Sequence, residues 1–182
     1  MSEFDGFVFL DLETTGLDPV LDSILEVGIL VTDMAFQTIA EFSEVCYFDL
    51  ELNKNSINEA VLEMHTKNGL WEECGKSELN FLKVEEEAIK FLKDSGWDKQ
   101  PLAGNTINFD RSFLHAQMPR LESIFHYRNF DVSTVRQLFA KFSWAWPPAK
   151  ENPAAHRSMA DCHDSKQELH YFVNEIQGWQ QW

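Results

Sequence analysis

The chain has 182 residues, 44% of them hydrophobic and 25% charged, the proportions of a folded protein with a sizeable core. Its 30 acidic and 15 basic residues leave a net charge of −15, which argues against wrapping long duplex nucleic acid, where Lys and Arg must meet many phosphates. The N-terminus is acidic and no apolar run approaches a membrane span, so a soluble cytoplasmic protein is expected, with the widely spaced Cys46, Cys74 and Cys162 reduced.

Taken in chain order, residues 7–13 read as a strand, followed by "ILEVGILVTDM" (24–34) and "IAEFSEVCYF" (39–48), rich in branched and aromatic side chains. Their short links predict an antiparallel meander. From Asn58 the spacing turns helical, and Phe81, Val84, Ala88, Phe91 and Leu92 fall on one face of a helix ending near Gly96. "QPLAGN" (100–105) reads as a short buried strand, and "NFDRSFLHAQM" (108–118) as a helix with Asn108 as its N-cap. "NFDVST" (129–134) reads as a strand end leading into the helix "VRQLFAKF" (135–142). A Pro-rich loop, "WAWPPAKENPAA" (144–155), precedes a final helix from about Ser158 to Ile176. With no internal repeat or linker, the chain reads as one domain over 1–182: a mixed α/β sheet flanked by helices. The acids of "EEE" (85–87) read as a solvated helix face.

In "FVFLDLETTGLDP" (7–19) Asp11 and Glu13 stand two apart in an apolar strand and so share a face. Like charges held that way repel unless a cation lies between them, so the pair predicts a metal. Gly16 then allows a tight turn. Asp110 opens the helix after the short strand, and Asp161 follows His156 by five residues at the start of the last helix. Singly, each has a plain reading, as a helix cap, a dipole-compensating acid or a loop histidine. Together, four carboxylates and a histidine are what a two-metal phosphodiester hydrolase needs: oxygen ligands for Mg²⁺ or Mn²⁺, and a base near neutral pKa.

"DLETTGLDP", "GNTINFDRSFL" and "HRSMADCHDS" resemble the three motifs of the DEDDh 3′–5′ exonucleases, which have the ribonuclease H-like fold. "MHTKNGLW" and "MPRLESIFHYRNFDVSTVRQL" are similar more narrowly to the oligoribonuclease family, over nearly the whole chain. The resemblance implies that Asp11, Glu13, Asp110 and Asp161 bind two divalent cations, Mg²⁺ or Mn²⁺, and that His156 is the general base. It implies further that Leu17 wedges between the bases of a dinucleotide and that His65 touches a base or sugar. Thr106, Arg128 and Ser133 cap the 5′ phosphate on this reading, with Tyr127 and Arg128 supplied across a homodimer interface. The substrates it implies are very short RNAs, dinucleotides above all. A general DEDDh exonuclease of RNA or DNA and a non-catalytic dinucleotide-binding module are the alternatives. Trp144 and Trp146 read as loop anchors near the site, Trp179 and Trp182 as tail or dimer contacts.

Overall fold

The computed structural model describes residues 5–144, 146–147 and 156–179, with only the backbone of Trp179. Most of the Pro-rich loop, and the contacts expected of Trp179 and Trp182, therefore lie outside the described residues.

The mixed α/β expectation holds. Five strands, β1 (Gly6–Thr14), β2 (Ile24–Asp33), β3 (Thr38–Val45), β4 (Pro101–Gly104) and β5 (His126–Asp131), form one sheet in the order β3-β2-β1-β4-β5. The first three make the antiparallel meander, while β4 and β5 add in parallel beside β1. Helices α1 (Leu50–Asn53), α2 (Glu59–Lys67) and α3 (Leu70–Lys76) lie between β3 and α4 (Phe81–Asp94). After β4 come α5 (Asn108–Gln117) and α6 (Pro119–Glu122), then α7 (Val132–Lys141) behind β5 and the long α8 (Ser158–Trp179). Among the described residues no helix is long and apolar enough to cross a membrane, and all three cysteines are buried and free.

The period of two along β1 sorts its side chains into two cores. Val8, Leu10 and Leu12 pack with Val84, Ala88 and Leu92 of α4 and with Phe113 and Leu114 of α5. Phe7 and Phe9 join Phe139 of α7 and Phe172 of α8 on the opposite face. Burying side chains such as Phe9, Phe113, Phe139 and Phe172 completely contributes roughly 1.5–3 kcal/mol each. On the Phe7–Phe9 face the next two positions are Asp11 and Glu13, so one alternating pattern makes core at one end of β1 and an acidic site at the other.

Several local expectations need correction. Asn108 is the first helical residue and not the N-cap: Ile107 already has helical dihedrals, and the Asn108 Oδ1 accepts from Asn129 Nδ2 at 3.1 Å. The strand read over 129–134 ends at Asp131, because the Asp131 carboxylate accepts from Thr134 N at 2.8 Å and starts α7 three residues early. The third strand stops at Val45, where Cys46 N turns back to Leu25 O and Tyr47 N goes to Leu79 O. Glu85, expected to be solvated, is buried: its carboxylate accepts from Arg120 N at 2.8 Å and Leu121 N at 3.1 Å, amides at the start of α6 that have no partner within their own helix.

Candidate active site

One carboxylate oxygen each from Asp11, Glu13 and Asp161 lie within 4.8 Å of one another. Asp11 and Glu13 come from β1, and Asp161 from the first turn of α8, which crosses that face. The crossing depends on Gly28, paired with Asp11 across β1 and β2. A Cβ there would sit 2.7 Å from the Ser158 carbonyl carbon and 2.9 Å from Met159 N, so only glycine lets α8 settle this low.

Asp110 stands beside this group, outside the 4.8 Å set. β1 pairs with β4 only at Val8 and Phe9. Beyond that point Leu12 N–H donates to the Asp110 Oδ1 at 3.0 Å, so the acid of α5 takes over a ladder position that β4 leaves vacant. Burial pushes the Asp110 carboxyl well above its usual range, against the pull of the Leu12 amide and with Asp131 and Asp161 adding to the rise. Glu13 is pushed up to about 8, first by burial, then by Asp161 and Glu26. A set of hard oxygen donors whose own repulsion opposes ionisation fits a divalent cation, which would relieve it.

His65 is fully buried, with its ring directed at Glu13 and Thr14. Its Nε2 lies 3.2 Å from Thr14 O and 3.8 Å from the Glu13 Oε2, with Trp71 edge-on at 5.2 Å. Burial holds its pKa down, against the pull of the Thr14 carbonyl and Glu26. The hydrogen-bond network assigns the proton to Nε2, donating to Thr14 O, with Nδ1 accepting from Asn68 at 3.5 Å. His156 is exposed just ahead of α8, in a left-handed backbone conformation (φ 39°), and its carbonyl accepts from Asn68 Nδ2 at 2.5 Å.

The loop after β1 holds Leu17 out in solvent, 83% exposed. Gly16 stands in the tight bend expected after β1, and its backbone there is not left-handed. A Cβ there would overlap the Asp22 carboxylate at 2.4 Å, and that carboxylate ties the loop through Thr15 Oγ1 and Asp18 N. Gln117 of α5 closes the other side, donating to Pro19 O and Asp22 O. Thr106 and Ser133, 27 positions apart, bring their hydroxyl oxygens to 3.4 Å. Tyr127 is 73% exposed on β5 with the Arg128 guanidinium 5.2 Å from its ring centre. Trp144 packs edge-on against Phe139 and stacks on Phe142, anchoring the end of α7.

Arg157 and Asn68 lie within the quoted motifs, which assign them no role, and Glu26 lies outside them. For Glu26 the signal was there: a carboxylate inside the apolar run "ILEVGIL", the same cue that marked Asp11 and Glu13. Arg157 and Asn68 carry no such cue in their spacing.

Residues 8–169 match the RNase_T exonuclease family. Oligoribonucleases resemble the chain along nearly its whole length. That of Dichelobacter nodosus is 35% identical over 97% of both chains, and that of Bordetella pertussis 36% identical over 93% of this chain and 94% of its own. The Xanthomonas campestris protein is 35% identical over 92% of this chain and 87% of its own. Among solved structures, Escherichia coli exonuclease I in complex with single-stranded DNA superposes with a TM-score of 0.65 at 19% identity over 96% of this chain. A moderately thermophilic exonuclease I from Methylocaldum szegediense reaches 0.68 at 16% identity. This chain spans 41% of each of those two longer proteins, and the likeness is one of fold.

Proposed function

The chain belongs to the RNase_T exonuclease family and to the oligoribonucleases, and from that premise we propose that it is a 3′–5′ exoribonuclease acting on RNAs of a few nucleotides, dinucleotides above all. The observation that carries the reading is the convergence of Asp11, Glu13 and Asp161 within 4.8 Å at the end of β1.

On this reading Asp11, Glu13, Asp110 and Asp161 hold two divalent cations, Mg²⁺ or Mn²⁺. When bound, these supply positive charge to the phosphodiester oxygens and lower the pKa of water. His156 takes the proton from the attacking water, and its exposure just ahead of α8 suits a base that must exchange protons with solvent. Leu17, held out by the Asp22 and Gln117 hydrogen bonds, lies between the bases. The hydroxyls of Thr106 and Ser133 bind the 5′ phosphate with Arg128, and the start of α7 adds its dipole there. Tyr127 and Arg128 work across a homodimer interface, for which their exposure on an edge strand leaves room. A capped 5′ end limits length, because a longer RNA must displace its own phosphate from that cap. The acidic surface agrees with a substrate that touches only the pocket.

The test is a series of 5′-labelled RNAs from two nucleotides upward, with divalent metal added and withheld. Fastest turnover of the dinucleotide, only with metal, is expected; equal rates at all lengths would remove the dinucleotide claim. Binding with no metal-dependent product would favour a binding module. Mass measurement in solution tests the homodimer.

A further inference from the structure

The residues just after His156 are held far more firmly than an exposed loop requires. Arg157 spans two acids from different elements. Its Nε and Nη2 meet the Glu26 carboxylate of β2 at 2.9–3.3 Å, and its Nη1 and Nη2 meet Glu73 of α3 at 2.8 and 2.7 Å. Glu26 is 98% buried and also accepts from Ser158 N at 3.0 Å, so a single carboxylate takes the side chain of one residue and the amide of the next. Asn68 binds the carbonyl of His156 itself and, through its Oδ1, the amide of Leu70. The peptide units from His156 to Ser158 are thus pinned to β2 and to the α2–α3 corner. Glu26 is also the cross-strand partner of Glu13, so the anchor is built directly against the acidic site.

We propose that Arg157, clamped between Glu26 and Glu73, is a positioning residue that fixes where the His156 imidazole stands relative to Asp11, Glu13 and Asp161. Fork-shaped pairing with two carboxylates sets orientation as well as distance, which a lysine in its place cannot do. A left-handed backbone at a non-glycine residue persists only where its surroundings enforce it, and these contacts supply that enforcement. The proposed substrate contacts lie on other residues, so the clamp governs the chemical step and not substrate binding. The inference rests on the proposed exonuclease reaction and on His156 as its base.

The experiment compares the wild type with Glu26→Gln/Arg157→Met, which removes the Arg157 guanidinium together with its buried partner's charge and leaves only the half-exposed Glu73 without its arginine. We expect kcat on a dinucleotide to fall about a hundredfold, as small misplacements of a reacting group do, with KM within about twofold. In a His156→Ala background, read with enzyme in excess, the same change should cost nothing further. An equal loss in both backgrounds, or a shift in KM in place of kcat, overturns the proposal. Should the double variant fail to fold by circular dichroism, Glu73→Gln removes only the more exposed arm; it should cost about tenfold in kcat, and Arg157→Lys should not restore the fork. Unchanged kcat in Glu73→Gln would then refute the clamp. A wild type without metal-dependent turnover would instead refute the proposed function.

Discussion

Replacing Gly28 with alanine adds one methyl group at the place where α8 rests on β2. That methyl would lie 2.7 Å from both the carbonyl carbon and the Oγ of Ser158, and 2.9 Å from Met159 N. Ordinary contact begins at 3.4 Å, so α8 must withdraw by about 0.7 Å or the strand must buckle. Two of the three colliding atoms are backbone, and no rotamer change removes them. Overpacking of this kind costs about 1–3 kcal/mol, seen as a fall in Tm of about 2–4 °C for each kcal/mol in a chain of this size. The shift is at the first turn of α8, which carries Asp161 and follows His156 directly, so kcat should drop about ten- to a hundredfold. KM should hold, because Leu17, Thr106 and Ser133 sit on other elements. Thermal melts and steady-state kinetics on a dinucleotide read both. Adding Ser158→Gly removes only the Oγ collision and should not restore the rate. A lowered Tm with unchanged kcat would refute the claim that this seating sets the catalytic geometry.

Metal and pH should be linked through Glu13. Its folded pKa of about 8 lies above the ordinary 4.5, so the metal-free fold favours the protonated form, and stability present below pH 4.5 is lost as pH rises through 8. Chelated protein should therefore melt at falling temperatures across that window, and Mn²⁺ should raise Tm more at pH 8 than at pH 6; an equal or reversed increment by calorimetry contradicts the linkage. Asp110→Asn keeps an oxygen acceptor for Leu12 N–H while removing a buried charge, so Tm should hold or rise while turnover is lost; retained activity removes Asp110 from the site. Glu85→Ala strands the Arg120 and Leu121 amides and should cost about 1–3 kcal/mol in denaturant unfolding with kcat unchanged, since α6 carries none of the site residues.

The sequence by itself determined what depends on local periodicity and residue chemistry. The alternation along 7–13 placed Asp11 and Glu13 on one face of a buried strand, and burial made a neutralising partner necessary. The order of strands and helices identified a mixed α/β sheet, and the spacing from His156 to Asp161 put the acid one turn into the final helix. Tertiary structure decided everything that rests on a partner remote in sequence. Asp110 meets Leu12 across 98 positions, and Arg157 meets Glu26 across 131, so no local pattern reports either contact. Glu85 has the composition of a solvated face, yet the chain returns the unpaired amides of α6 to it. Gly16 and Gly28 look like turn and strand glycines in the sequence. Their need for a hydrogen side chain comes from Asp22 and Ser158, which only the fold brings against them. A carboxylate in an apolar run announces that something must satisfy it; whether a cation, an arginine or a helix start does so is settled by what packs opposite.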